Sequence, residues 1–109
     1  GSDWSVSSPN PLEEIQVAIT RMGPAGETRT PFLPDERINL PEALAAFTIN
    51  AAYTNRLEKT TGSLEPGKNA DLVVLDRNLF DIAPTEIAKA RVLVTLFEGR
   101  AVYGGLGAL

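Results

Sequence analysis

The sequence contains neither cysteine nor histidine, and it has one methionine, Met22, and one tryptophan, Trp4. Without cysteine, the chain forms no disulfide and no thiolate metal site. Without histidine, it lacks the commonest metal ligand and the usual base that activates a serine or threonine nucleophile. No P-loop or dinucleotide-binding glycine pattern occurs. We therefore expect no complete catalytic site and no cofactor within this chain alone.

Charge and hydropathy argue against two further classes of protein. The net charge of -4 and the isoelectric point of about 4.7 leave no basic patch that would neutralise nucleic-acid phosphates. No apolar run approaches the roughly 18 residues that a membrane span requires. The N-terminus also shows no signal-peptide pattern. We predict a cytoplasmic protein without a nucleic-acid or membrane partner.

Two amphipathic helices are predicted in the first half of the chain. In the first, Asn10 is the N-cap, Pro11 begins the first turn, and Glu13 completes a capping-box-like pattern. Gly23 and Pro24 end this helix. Its apolar face consists of Leu12, Ile15, Ile19 and Met22. The second helix is predicted over residues 41–54, with a proline in its first turn.

Residues 23–37 are predicted to be a loop, because proline and glycine recur among polar residues there. Arg29 and Arg37 lie in this loop. We interpret both as solvated charges, since most surface charges contribute little. A contact with a substrate carboxylate is the alternative, because the guanidinium group matches a carboxylate in geometry.

A turn followed by a strand dominates the second half of the chain. Pro66-Gly67 is a turn dipeptide, and residues 72–75 are an apolar run typical of a strand buried on both faces. Asp71 and Asp76 flank this strand, and we expect their carboxylates to be solvated or to cap neighbouring backbone groups. Because an exposed apolar strand recruits other chains, we predict that the chain forms a dimer or higher oligomer that covers it.

The C-terminal residues predict a β-hairpin preceded by a short helix. The helix begins at Pro84, and residues 92–97 form the first strand of the hairpin. Residues 98–101 make a tight turn in which Gly99 adopts a positive φ. Residues 101–103 are the return strand, and a mobile tail begins at Gly104. Together these elements predict an α+β fold.

The turn and strand also carry a resemblance to a known family. The pattern Gly62-x-Leu64-x-x-Gly67-x-x-Ala70-Asp71-Leu72-Val73-Val74-x-Asp76 resembles the C-terminal signature of metal-dependent amidohydrolases, in particular of family 3. Arg77-Asn78-Leu79-Phe80-Asp81-Ile82 follows as it does in that group. Gly1-Ser2-Asp3-Trp4 is similar to the segment that ends the eighth strand of their barrel, although Gly1-Ser2 is alternatively a scar of tag removal.

The resemblance implies an architecture. Residues 1–56 would be the end of a TIM-type α/β barrel, with its last strand and helices, and residues 57–109 would be C-terminal strands of a small β-sandwich domain. A whole barrel needs roughly 250 residues, whereas this chain has 109. The chain is therefore expected to be the C-terminal part of a larger hydrolase.

The resemblance also implies an activity for the intact enzyme. Such enzymes hydrolyse C–N bonds of amides or cyclic amides with water activated by a divalent metal, of which zinc is expected first. Carried over by position, Asp3 would bind the metal and act as general base toward the water. This chain lacks the histidine ligands and is expected to be noncatalytic. The alternatives are a stand-alone, noncatalytic oligomerising or interaction module, and a small-molecule-binding protein that uses the Arg29 and Arg37 loop.

Overall fold

The computed structural model describes residues 3–105 and residue 107 of the chain. Three helices, α1 (Pro11–Thr20), α2 (Leu40–Phe47) and α3 (Ile49–Thr54), precede three strands, β1 (Leu72–Leu75), β2 (Val92–Phe97) and β3 (Arg100–Gly104). Short 3-10 helices occupy Pro34–Glu36, Leu79–Asp81 and Pro84–Lys89. The predicted α+β class is confirmed. The predictions for Gly1-Ser2 and for most of the tail (Leu106, Ala108 and Leu109) fall outside the described residues.

Helix α1 begins as predicted and ends earlier than predicted. The Asn10 side chain accepts a hydrogen bond from the Leu12 N–H at 3.1 Å, and its amide group donates to Glu13. Arg21 then adopts a left-handed conformation with φ 57 and donates its N–H to the Val17 carbonyl. This C-cap terminates the helix at Thr20. Extension of the helical face to Met22 was therefore wrong.

The second predicted helix is divided into α2 and α3. A complete capping box begins α2, because Asn39 accepts from the Glu42 N–H and Glu42 accepts from the Asn39 N–H. Thr48 interrupts the helical backbone with φ -125 and ψ -99, and its hydroxyl donates to the Leu44 carbonyl. A hydroxyl that bonds the preceding turn competes with the helical ladder. A single helix over residues 41–54 was therefore wrong.

The sheet is antiparallel, with the strand order β1-β2-β3. Across the three strands, Val73 lies opposite Thr95, which lies opposite Tyr103. Among the described strands β1 is thus an edge strand, and Val73 is 54% exposed. Burial of β1 on both faces was therefore wrong. Only β2 has the burial expected of a central strand, with Val94 fully buried.

The predicted hairpin is confirmed. Glu98 and Gly99 form its two-residue turn, with φ 49 and φ 78 respectively. Two positive φ values identify a type I′ turn, whose twist matches the twist of the flanking strands. The return strand begins one residue earlier than predicted, at Arg100, and it includes Gly104. Gly104 is therefore not part of a tail.

The hydrophobic core joins the two halves of the sequence. Helix α1 packs against the 3-10 helix Pro84–Lys89 and against α2. The buried residues of this core are Leu12, Ile15, Ala43, Leu79, Ile87 and Ala90. A buried polar residue, Gln16, crosses the same contact: its side-chain carbonyl accepts from the Ala88 N–H at 2.8 Å, and its amide donates to the Pro24 carbonyl. Gln16 thereby ties α1 to both the loop and the distant 3-10 helix.

Candidate functional site

Asp3, the predicted catalytic and metal-binding residue, lies at the first described position of the chain. Its side chain is exposed and its backbone has φ 53. Aspartate is one of the few residues that adopt this left-handed conformation readily. The Asp3 carbonyl accepts a hydrogen bond from the Val6 N–H at 2.9 Å, which closes a turn over residues 3–6. The carboxylate is therefore presented to solvent at the start of a short turn.

The residues of this chain do not fit a catalytic metal. A metal site of this class needs three or four nitrogen, sulfur or oxygen ligands from the protein. Within the described residues, no group of three histidine, cysteine, aspartate or glutamate side chains comes close enough to hold an ion, and the whole sequence has no histidine and no cysteine. The roles of Asp3 as ligand and base stay predictions.

The signature segment over residues 61–71 is a loop packed tightly against α3. Gly62 has φ 91, and a Cβ at this position would lie 2.6 Å from the Ala52 Cβ. Only glycine satisfies both the backbone conformation and the close approach. At the Pro66-Gly67 turn, the Lys68 N–H donates to the Glu65 carbonyl at 3.1 Å. The predicted turn is confirmed.

Lys68 is occupied within this loop. Its ammonium group donates to the Ser63 hydroxyl at 2.6 Å and pairs with Glu65 at 2.9 Å. The Ser63 hydroxyl in turn donates to the Glu65 carboxylate. The bond from Ser63, followed by the contacts of Lys68, lowers the pKa of Glu65. Lys68 therefore cross-links the loop through its contacts with Ser63 and Glu65.

Asp71 joins the loop to the hairpin. One carboxylate oxygen accepts from the Glu98 N–H at 2.8 Å, and the other accepts from the Thr61 hydroxyl at 2.8 Å. Next to it, the Gly99 N–H donates to the Ala70 carbonyl at 3.1 Å. The backbone donor at Glu98, and then Thr61, lower the pKa of Asp71. Asp71 thus holds the tip of the β2–β3 hairpin by capping a backbone N–H, which is the second of the two expected roles.

Asp76 joins the other end of β1 to the start of β2. Its carboxylate accepts from the Arg77 guanidinium at 3.0 and 3.1 Å, from the Arg91 N–H at 2.9 Å, and from the Arg91 guanidinium at 3.0 Å. Its side chain is 10% exposed. The carboxylate is therefore largely shielded from solvent, and the expectation of solvation was wrong for Asp76. Arg77, and then the Arg91 N–H and guanidinium, hold the pKa of Asp76 well below its usual value of 3.8.

Two apolar grooves border the edge strand β1. One, of about 510 Å³, lies between α3 and the signature loop, and its lining includes Ala51, Leu57 and Leu64. The other, of about 450 Å³, lies between the helices and the sheet, and its lining includes Leu44, Leu75 and Leu79. Both grooves share Phe47 and Val73. The apolar surface beside β1 is therefore continuous across the helix break at Thr48.

The two arginines of the predicted loop, Arg29 and Arg37, share no contact among those described. Arg29 lies in a run of exposed residues, 25–30. The exposed Arg37 donates from its guanidinium to the Pro34 carbonyl at 2.8 Å, within the 3-10 turn. A third arginine, Arg21, stacks over the Phe32 ring with 5.7 Å between guanidinium carbon and ring centroid. Ligand binding by Arg29 and Arg37 stays a prediction.

Similarity to known proteins identifies the family. The model of the amidohydrolase family matches residues 1–103, which include Asp3, the helices, the signature loop and the hairpin. The chain belongs to the amidohydrolase family. The resemblance of the signature segment to amidohydrolases is therefore confirmed, and the match covers both halves of the sequence rather than the signature alone.

Individual relatives agree with this membership. The chain is 41% identical over 103 residues to Protein LONG AFTER FAR-RED 3 of Arabidopsis thaliana, covering 94% of this chain and 17% of that protein. It is 37% identical over 106 residues to N-substituted formamide deformylase of Arthrobacter pascens, covering 97% of this chain and 19% of that enzyme. It is 30% identical over 105 residues to imidazolonepropionase of Kosmotoga olearia, covering 94% and 22% respectively.

These relatives are much longer than this chain, which spans 17%, 19% and 22% of their lengths. No solved structure matches the chain. Among the described residues, no helix has the length and apolar character needed to cross a membrane. The predicted cytoplasmic location, and the division of the chain at residue 56, stay predictions.

Proposed function

We propose that this chain is the C-terminal part of an enzyme that hydrolyses C–N bonds of amides or cyclic amides. The observation that supports the proposal is the continuous family match over residues 1–103, combined with the small share of each relative that the chain spans. In this proposal residues 1–56 contribute the end of a barrel, and residues 57–109 contribute strands of a second, smaller domain. The helices and the sheet of this chain then serve as a scaffold.

Within that enzyme, Asp3 is the residue of this chain that we propose takes part in catalysis. A carboxylate in a turn at the edge of the scaffold is accessible to groups from other parts of a protein, and it can accept a proton from water. The described residues contain no group of side chains that could hold a metal, so any divalent ion, zinc first, would need ligands from elsewhere. We accordingly propose that the 109-residue chain by itself is noncatalytic.

Hydrolysis assays on the purified chain test this proposal. The substrates are an N-substituted formamide and a cyclic amide, each with and without added zinc, manganese or magnesium ions. We expect no metal-dependent release of product. The Asp3→Asn variant and the unsubstituted chain should release product at the same background rate. Turnover by the unsubstituted chain that Asp3→Asn abolishes would overturn the noncatalytic assignment and identify Asp3 as catalytic within this chain.

A second candidate function is that of a stand-alone, noncatalytic module that associates with itself. The observation that favours it is the exposed apolar edge of β1, bordered by the two apolar grooves. Such an edge is a template for pairing with another strand. Sedimentation of the chain over a wide concentration range tests this candidate: we expect a reversible dimer, and a monomer at every concentration would contradict it.

A further inference from the structure

The sheet and the helices of this chain share little apolar contact. Helix α1 packs on α2 and on the 3-10 helix Pro84–Lys89, α2 packs on α3, and the strands pack on their neighbouring strands. Among the described strand residues, Leu75 is the one that packs against the hydrophobic core. Both apolar grooves have one wall of helix residues and another that includes β1 residues. Because a well-packed interior has few voids larger than a water molecule, packing alone does little to hold the sheet against the helices.

The signature loop is fixed at the end of α3. Gly62, with φ 91, lies so close to this helix that an added Cβ would be 2.6 Å from the Ala52 Cβ. The Asn69 N–H donates to the Thr60 carbonyl at 2.8 Å and closes the neck of the loop. The start and the end of the loop are therefore held together beside α3.

The end of the loop is in turn fixed to the hairpin. Asp71 accepts from the Thr61 hydroxyl and from the Glu98 N–H, both at 2.8 Å. Beside it, the Gly99 N–H donates to the Ala70 carbonyl at 3.1 Å. Glu98 and Gly99 are the two residues of the hairpin turn. One carboxylate thus connects the segment that follows α3 with the tip of a hairpin that lies 27 positions further along the chain.

We infer that Asp71, Thr61 and Glu98 form a clasp that fixes the hairpin tip to the helical half of the chain. When the clasp is broken, the tip opens as a local unit. At the other end of β1, Asp76 holds Arg91 by separate hydrogen bonds, so the base of the hairpin stays attached. Thr61 and Asp71 also line the groove beside α3, and the same motion widens that groove. The inference concerns contacts within this chain and goes beyond the proposed function.

The surroundings of the tip favour local opening over unfolding of the whole chain. Both turn residues are exposed, and the return strand β3 is exposed along its whole length. Segments that bury few apolar contacts open with the smallest free energies. Hydrogen bonds to a charged carboxylate are about twice as strong as neutral ones. The clasp therefore supplies the stability that apolar burial does not supply at this end of the sheet.

Amide hydrogen exchange in the 109-residue chain tests the clasp. Asp71→Ala removes the carboxylate, whereas Asp71→Asn retains one oxygen that can accept from Glu98. We expect Asp71→Ala to raise the exchange rate of the Gly99 amide at least about tenfold, and Asp71→Asn to raise it less. The Gly99 amide is informative because its own acceptor, Ala70, is unchanged in both variants. The Ala88 amide, in the helical half, should keep its exchange rate.

Two further variants separate the clasp from a general effect of charge. Asp81→Ala removes another carboxylate, whose described partner, Asn78, lies three residues away. This control should leave the exchange of Gly99 unchanged. Thr61→Val should raise the exchange rate of Gly99 by itself. It should have no further effect in the Asp71→Ala background, because both substitutions act through the same carboxylate.

A disulfide at the same place should restore what Asp71→Ala removes. A Cβ at Gly99 would lie 4.0 Å from the Ala70 Cβ, which is within the range of a disulfide, and the sequence has no other cysteine. Ala70→Cys and Gly99→Cys are therefore combined with Asp71→Ala. We expect oxidation to slow the exchange of the amide at position 99 at least about tenfold relative to the reduced form. The strain of a side chain at φ 78 is common to both forms.

Three outcomes would overturn the inference. If Asp71→Ala leaves the exchange of Gly99 unchanged while Glu98 exchanges faster, Asp71 only caps one N–H. If exchange rises equally at Ala88, or if Asp71→Ala unfolds the chain, the tip does not open as a local unit. If Asp81→Ala has as large an effect as Asp71→Ala, the effect does not arise from the clasp.

Discussion

Gln16 connects helix α1 to the loop at Pro24 and to the 3-10 helix at Ala88. Its substitution should lower the free energy of unfolding by an amount that can be estimated from these two hydrogen bonds. The residue is only 3% exposed. Its carbonyl accepts from the Ala88 N–H at 2.8 Å, and its amide donates to the Pro24 carbonyl at 3.3 Å. Gln16→Met preserves side-chain length and helix propensity and removes both hydrogen bonds. The substitution therefore isolates the polar contribution of the side chain.

The expected loss follows from the groups left behind. A net contribution of about 1 kcal/mol for each neutral hydrogen bond, with an added penalty for buried groups left unpaired, gives a loss of roughly 2–3 kcal/mol in the free energy of unfolding. For a domain of this size, each 1 kcal/mol lowers Tm by about 4–8 °C. Gln16→Met should therefore lower Tm by roughly 10 °C or more.

Urea unfolding followed by circular dichroism measures this loss, and amide hydrogen exchange at Ala88 locates it. The control is Thr54→Val, which removes an exposed hydroxyl bonded within its own helix to the Asn50 carbonyl. Surface changes of this kind stay within about 0.5 kcal/mol. If Gln16→Met is as stable as the unsubstituted chain within that margin, or if Thr54→Val costs as much, the assigned role of the buried glutamine is refuted.

Two further predictions concern the signature segment and the strand it leads into. Gly62→Ala should destabilise the chain by about 1–3 kcal/mol, and by more than Gly67→Ala. Both glycines have a positive φ, but an added Cβ would meet neighbouring atoms within 4 Å only at Gly62, where the nearest is the Ala52 Cβ. Equal losses of stability in urea unfolding would show that this close packing is unimportant. Asp76 has a lowered pKa when folded. Its stabilising contribution is therefore fully present above about pH 5. The contribution is lost as the pH falls from the usual pKa of 3.8 toward the lower pKa of the folded chain. Asp76→Asn should therefore be less stable than the unsubstituted chain at neutral pH, with the difference shrinking in acid; a difference that stays constant down to pH 2 would contradict the linkage.

The local signals in the sequence were sufficient where the structure depends on neighbouring residues. The N-cap at Asn10, the Pro66-Gly67 turn and the hairpin turn at Gly99 all form as predicted. Each depends on a side chain or a backbone preference that acts within a few residues. The signature around Asp71 likewise identified the family, because that pattern is a property of the sequence itself.

The helix boundaries show where local reasoning was incomplete. Periodicity alone extends the first helix to Met22 and joins α2 to α3. The structure ends the first helix at the left-handed Arg21 and breaks the second at Thr48. Neither arginine nor threonine is a strong helix terminator by composition, so these ends were not predictable from propensity.

The interpretation of the candidate site depended most on tertiary structure. From the sequence, Asp71 and Asp76 were charged residues flanking a strand, and solvation or capping was the simplest expectation. Their partners, Glu98 and Arg91, are distant in sequence, and only folding brings them into hydrogen-bonding range. The same applies to Gln16, whose bond to Ala88 spans 72 positions and has no local signal.

The sequence by itself determined the family and the incompleteness of the metal ligands. Both conclusions follow from the composition and order of the residues. The sequence contains the signature pattern, and it contains no histidine and no cysteine. Tertiary structure decided that β1 is an exposed edge and that its two flanking aspartates hold the sheet together. Strand order and long-range hydrogen bonds arise from how distant segments pack, which an apolar run such as Leu72–Leu75 does not encode on its own.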